Sequence, residues 1–242
     1  MTTYTIDFDF TSSDERDVLQ QLQAQHYNLV GFKGAKGPQG QVASGVPAWF
    51  VVPFGNMFGV AQIQYKPQYK VYVFNQGQIA AQTTIKMQSL SKETDLGSGL
   101  TFMPDGDFKA GGISNVPEDG IAVLSQRPSG TPPVTVGLAG LVTTPAGDQY
   151  LPFCAFTLPP QGSIVMQPIE QVLLMAAQLD LHSGNVQAVL SAPGVMFEFG
   201  SGTRDYPLTI EASTYALASA EGGSPVTPVS SGDTVAKVNQ LS

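Results

Sequence analysis

Ile169-Glu-Gln-Val-Leu-Leu-Met-Ala-Ala-Gln-Leu-Asp-Leu181 is the stretch on which the fold turns. Ile169, Val172, Leu173 and Ala176 stand at helical spacing, and Ala, Leu, Met and Gln are good helix formers. A helix here would make the second half of the chain mixed; a strand would make the whole chain a two-sheet protein. An internal echo decides for strand. Val30-Gly-Phe-Lys-Gly34 resembles Val136-Gly-Leu-Ala-Gly140. Pro47, Phe50 and Pro53 are echoed by Pro152, Phe156 and Pro159, and Pro67 and Val71 by Pro168 and Val172. On that match residues 172–179 correspond to the strand at 71–74.

Outward from this stretch, strands and turns dominate. Tyr4, Ile6, Phe8 and Phe10 alternate with Thr5, Asp7 and Asp9, a period of two that predicts a half-buried strand. Ser12 followed by Glu15 forms a capping box and predicts a surface helix over residues 14–25, with Val18, Leu19 and Leu22 as its apolar stripe. Further strands are expected at 27–32, 47–54, 69–74, 79–87, 134–142, 150–158, 186–190, 195–199 and 208–215, each bounded by Gly or Pro. Short strands so punctuated predict an all-β protein, a two-sheet antiparallel β-sandwich with one short N-terminal helix. Residues 1–218 read as one domain with pseudo-repeat halves at about 1–110 and 111–218; residues 219–242, rich in Gly, Ser and Pro, read as a loosely held tail. Within that tail Val235, Val238 and Leu241 could dock as a last short element.

Composition narrows the chemistry. Two histidines, one cysteine and 12% charged residues are a sparse catalytic inventory beside 26 glycines and 18 prolines. A net charge of −8 opposes binding to nucleic acid or to anionic lipid by simple attraction. The charge is uneven: residues 1–109 hold nine acidic and eight basic groups, residues 110–242 ten and three. Read as two faces, this predicts head-to-tail self-association through Lys66, Lys70 and Lys86 at low ionic strength. The start of the chain lacks a basic and apolar leader, and no window is long and apolar enough for a transmembrane segment. A cytoplasmic location, or secretion without a cleaved signal peptide, is therefore expected.

Several motifs invite functional readings, each with a plainer rival. The loop Gly34-Ala-Lys-Gly-Pro-Gln-Gly40 with Lys33 lacks the Gly-Lys-Ser/Thr of a phosphate loop and reads as a rim loop. Asp105, Asp107, Glu118 and Asp119 are the best hard-cation candidates, but turn chemistry explains them without a metal. His26 and His182 have no Cys or second His nearby, and the Asp180/His182 pair has no nucleophile elbow to serve. Cys154, in an apolar run, reads as a small buried hydrophobe. Trp49, Tyr65, Tyr69 and Tyr72 fit a stacking surface for sugars or lipid headgroups, and fit a core better. No catalytic, cofactor-binding or metal-binding residue is assigned on these grounds, and no cofactor is expected.

Tyr4-Thr-Ile-Asp-Phe8, Tyr27-Asn-Leu-Val30, Val46-Pro-Ala-Trp-Phe50, Tyr69-Lys-Val-Tyr-Val-Phe74 and Thr135-Val-Gly-Leu-Ala-Gly140 fall in an order that resembles the rhizosphere-expressed protein family of root-nodule bacteria and its bacterial and fungal relatives. The resemblance spans most of residues 1–215 and departs from the family in the N-terminal helix and the tail. It implies a soluble all-β protein used in microbe–host or microbe–environment contact, and it supplies no catalytic residues. Three function classes follow. The first is a non-enzymatic binding or self-assembling protein, with a host surface, glycan, lipid or second copy as partner. The second is a β-rich membrane-active toxin, in which Thr83, Thr84, Ser89, Ser91 and Thr94 belong to a segment that refolds as a hairpin. The third is a hydrolase or metal enzyme concealed by the fold.

Overall fold

The structure, a computed structural model, describes residues 2–37, 45–200 and 202–239. The first half of the chain forms β1 (Tyr4–Asp9), α1 (Ser13–Ala24), β2 (Asn28–Lys36), β3 (Val46–Pro47), β4 (Phe50–Pro53), β5 (Val60–Phe74), β6 (Ser89–Thr94), β7 (Ser98–Phe102) and β8 (Phe108–Ala110). The second half forms β9 (Ile121–Ser125), β10 (Val134–Thr144), β11 (Gly147–Pro152), β12 (Phe156–Leu158), β13 (Ser163–Ala177), β14 (Val186–Gln187), β15 (Gly194–Glu198), β16 (Asp205–Ile210), β17 (Leu217–Ser219) and β18 (Thr227–Val229). The stretch that decides the fold is strand: it lies largely within β13. β-Branched Ile164, Val165, Ile169 and Val172 and two-sided burial outweigh the helix propensity of its Leu, Met and Ala.

Two eight-stranded sheets pack face to face. One runs β11-β10-β5-β1-β16-β17, with β12 beside β10 and β6 beside β5. The other runs β18-β15-β13-β9-β7-β8, with β2 beside β13 and β4 beside β2. Each half of the chain supplies the central strand of one sheet and sends strands into the other. The pairings then repeat. Gly31 of β2 faces Leu174 of β13 and Phe50 of β4; Val136 of β10 faces Val73 of β5 and Phe156 of β12. Ile6 of β1 faces Ile63 of β5 and, in parallel, Tyr206 of β16; Val123 of β9 faces Ile164 of β13 and, in parallel, Leu100 of β7. Thus β1, β2, β5 and β7 map onto β9, β10, β13 and β16, and an approximate twofold exchanges the halves. The two parallel pairs depart from the fully antiparallel expectation.

The inner faces of both sheets build one large core containing Ile6, Phe8, Trp49, Tyr65, Tyr69, Val71, Val123, Leu138, Val172 and Leu174. Helix α1 begins where its capping box predicts, with the Ser12 hydroxyl accepting from the Glu15 backbone N–H, a cap worth about 1 kcal/mol. Two segments differ from expectation. Residues 79–87 are not a regular strand; Thr84 makes one isolated bridge to Asn185, while Ile79 and Ile85 cover the outer face of the first sheet. The tail is docked rather than loose: β18 pairs with β15, and the 3-10 turn Val235–Asn239 buries Val235 and Val238 against Val30, Phe32, Leu173 and Met175. Gly34 permits this, since a Cβ there would lie 2.2 Å from the Val238 carbonyl oxygen. Leu241 lies outside the described residues.

Candidate functional site

Leu29, Gly31, Lys33 and Ala35 share the inner face of β2, so the alternation that buries Leu29 and Ala35 also carries Lys33 between the sheets. Its side chain is 0% exposed. Nζ donates to the Ile169 carbonyl oxygen (2.8 Å) and to Glu170 Oε2 (2.9 Å), and lies 4.5 Å from the Tyr65 ring centroid. Glu170 reaches this point because β13 bulges between Pro168 and Val172, where proline has no N–H to give the ladder.

The other carboxylate oxygen, Oε1, lies 3.2 Å from the Tyr65 hydroxyl and 3.1 Å from that of Tyr69, and the two hydroxyls are 2.6 Å apart. Each phenol carries one hydrogen. One therefore donates to Oε1, and the other joins it or donates to its neighbour. Burial, reinforced by nearby Glu170, drives both phenols well above their usual range and keeps them protonated donors. Burial pushes the Lys33 ammonium down, and the Glu170 carboxylate opposes that shift. Buried donors thus converge on one carboxylate from the core side. An ion pair so placed is a poor way to gain stability, since desolvation cancels most of its attraction. Its effect is to fix Glu170.

Glu170 is not itself sealed in; its side chain is 29% exposed. It forms the floor of a cavity of about 310 Å³ whose walls include Lys36, Asp119, Gln167, Glu198 and Phe199. Tyr4 stacks on Phe199 at 4.7 Å between centroids, and Gln167 Nε2 donates to Asp119 Oδ1 at 3.1 Å. With Glu170 balanced by Lys33 behind it, Asp119 and Glu198 against Lys36 leave the cavity a slightly negative, acceptor-rich lining. Among the described residues no three Asp, Glu, His or Cys side chains are grouped to hold a metal ion. Glu198 also lines a second cavity of about 190 Å³, with Gln171, Met196, Phe197, Tyr206 and Thr227. A larger hollow of about 600 Å³ beside Gly37 has a mixed lining of Lys36, Ser163 and Gln167 with Pro117, Ile164 and Val165.

The residues singled out from sequence are mostly elsewhere. Trp49, Tyr65, Tyr69 and Tyr72 are core, each at most 1% exposed, so they form no stacking surface. Cys154 is buried and accepts from the Leu138 N–H; burial pushes its thiol up to about 12, which leaves no thiolate for chemistry. Asp105 and Asp107 shape one turn, with Asp105 Oδ1 accepting from the Asp107 N–H, while Asp119 belongs to the Glu170 cavity. His26 sits at φ 56° just after α1; it lines a hollow with Asp180. His182 holds a turn through its carbonyl, which accepts from the Asn185 N–H. Of the phosphate-loop candidate, residues 34–36 are strand and 38–40 lie outside the described residues. In the hairpin candidate, Ser91 Oγ accepts from the Val71 N–H, which ties that segment to β5.

Neither Lys33 nor Glu170 stands out in the sequence: Lys33 borders a glycine loop, and Glu170 falls in a segment whose residues suit helix and strand alike. The available signal was the period of two from Leu29 through Gly31 and Lys33 to Ala35. No family profile, characterised protein or solved structure matches this chain.

Proposed function

We propose that the chain is a non-enzymatic binding protein whose ligand is a glycan taken up at the Glu170 cavity. The observation that supports this reading is the carboxylate of Glu170, held from behind by Lys33 and two phenols where it borders a polar-lined hollow. A fixed carboxylate accepts hydrogen bonds from paired hydroxyls, and Lys36, Gln167, Asp119 and Glu198 around it offer further polar partners for a sugar's hydroxyl groups. Contact between a microbe and its surroundings, the role implied by the family resemblance, would use such recognition.

Calorimetric titration with cellotriose and chitotriose tests the reading. Saturable binding of either is expected, weakened by Glu198→Gln. Absence of binding to both at millimolar ligand would overturn it, as would dye release from liposomes by protein that binds no glycan.

A further inference from the structure

Among the described residues the two most exposed large hydrophobic side chains stand two positions apart: Phe58, 70% exposed, and Val60, 66%. Phe58 is held out rather than left loose. The carbonyl oxygen before it, on Met57, accepts from Gln23 Nε2 at 3.1 Å, and the one after it, on Gly59, accepts from the Phe10 N–H at 2.8 Å. Gly59 itself takes φ 58°, a left-handed turn that suits glycine. Beside the Phe58 ring lies a hollow of about 550 Å³, lined by Phe10, Leu19, Gln23 and Phe58 itself, with Arg16 and Gln20 among its walls. Knob and hollow thus share one patch, and so do both signs of charge. Asp9, level with Val60 in the ladder of β1 and β5, accepts from the Thr11 N–H through Oδ1 at 2.9 Å. Arg16 Nη2 donates to the Thr11 carbonyl oxygen, also at 2.9 Å.

We infer that this patch is the interface of a dimer in which two copies of the chain pack about a twofold axis. An isologous contact requires a surface complementary to itself. Each copy brings one exposed ring and one hollow that takes the other copy's ring, so the two Phe58 side chains meet near the axis. Seating them removes from water the most exposed large hydrophobic side chain of each copy. The same axis sets the Arg16 of each copy toward the Asp9 of the other, and the patch is complementary to itself in charge as well as in shape. A membrane surface fits less well. Asp9, Asp14 and Asp17 flank Arg16 in the sequence and the chain carries a net charge of −8, both of which anionic lipid repels. A twofold contact also closes at the dimer, unlike the head-to-tail packing that the uneven charge suggests. The interface does not depend on the glycan reading.

Sedimentation velocity across a concentration series tests the inference. A monomer–dimer equilibrium with no larger species is expected. Phe58→Asp should weaken dimerisation at least about tenfold. Its circular dichroism should match that of the wild type, because the side chain is exposed in the single chain. Charge supplies an independent arm. Arg16→Glu and Asp9→Lys should each weaken self-association, since each variant sets like charges against each other across the axis. An equimolar mixture of the two should regain the wild-type affinity as a heterodimer, in which every pair is again of opposite sign. A Phe58→Asp protein that dimerises as tightly as the wild type overturns the interface. A mixture no tighter than its components overturns the twofold packing, and so do assemblies that grow beyond the dimer. A chain that stays monomeric at millimolar concentration overturns the proposal outright; if that monomer sediments with phosphatidylcholine vesicles, the patch belongs to a membrane contact instead.

Discussion

Position 33 in the first half and position 138 in the second are the same place in two copies of one motif. They hold a lysine and a leucine. Both residues face inward between the sheets, Lys33 on β2 and Leu138 on β10, and both are 0% exposed. The partner of the lysine, Glu170 on β13, maps in the same way onto Tyr69 on β5, and these two side chains are hydrogen-bonded to each other at 3.1 Å. A residue that touches its own image lies on the axis relating the copies. The polar cluster therefore sits where the halves meet, and only one half carries its charge. One motif tolerates leucine at this position with a closed core. The other uses lysine and opens, through Glu170, to a cavity. The difference separates what the fold needs from what a site adds.

The largest effect concerns the exchange of strands itself. The central strand of each sheet has its longest partner in the other half, β5 with β10 and β13 with β2. Residues 1–110 expressed alone would keep β1 and β6 beside β5 and β4 beside β2, but would leave the other edge of β5 and of β2 bare where β10 and β13 pair in the whole chain. No cooperative thermal transition is expected for either fragment alone, and mixing them should restore one. A fragment that melts cooperatively on its own would show that the halves are independent units.

Next comes the ion pair. Glu170→Leu leaves the buried Lys33 ammonium without a counter-charge and should cost about 3–5 kcal/mol in urea unfolding. Lys33→Leu installs the residue that the second half already has, and its cost should be far smaller because Glu170 keeps two phenol donors and some water. The double variant should recover most of the loss. If Glu170→Leu and the double variant prove equally unstable, the lysine is not what makes the glutamate necessary.

A third test compares Gly34 with Ala139, which are again equivalent positions. On β10 the alanine packs among Tyr72, Phe74 and Ala155. On β2 the same methyl would strike the Val238 carbonyl oxygen. Gly34→Ala should cost about 1–3 kcal/mol and release the tail, seen as faster hydrogen exchange at the Ala35 N–H, which donates to Asn239 Oδ1. Unchanged exchange there would mean that the tail is held by β18 alone.

These positions also show what the sequence makes legible. The alternation in Tyr4-Thr-Ile-Asp-Phe8 and the capping box at Ser12 survive, because each is a local rule. Pro67 with Pro168 and Phe50 with Phe156 mark true equivalents. The glycine echo is one residue out. Matching Gly31 to Gly137 sets Lys33 opposite Ala139, whereas the strand pairings set it opposite Leu138. A slip of one residue reverses the face of every side chain on a strand, so this echo hid the inward lysine. The bulge that turns Glu170 inward, and the tail that needs Gly34 bare, arise from distant segments and leave no pattern in either strand. The charge asymmetry between the halves does not translate into two faces. The halves exchange strands, and Lys70 lies over the Tyr150 ring at 4.3 Å while Tyr150 donates to Glu93.

The smallest effect is the pH dependence that the lysine adds to one half and the leucine does not. Burial holds the Lys33 pKa below 10.5, so between its folded value and 10.5 the unfolded chain binds the proton more tightly. Stability from this group therefore rises as the pH climbs toward 10.5. The tyrosines act with the opposite sign. Tyr65, Tyr69 and Tyr72 are raised well above 10 by burial, and Tyr150, buried in part and bonded to Glu93, is raised to about 12. Above pH 10 the unfolded chain loses phenol protons that the folded protein keeps, and stability falls. The wild-type curve should thus hold up as it nears pH 10 and drop beyond it. Lys33→Leu removes only the rising contribution, so its urea midpoint should begin to fall earlier, while the drop above pH 10 stays the same. Parallel curves for the two proteins up to pH 10 would mean that Lys33 titrates in the fold as it does in the unfolded chain.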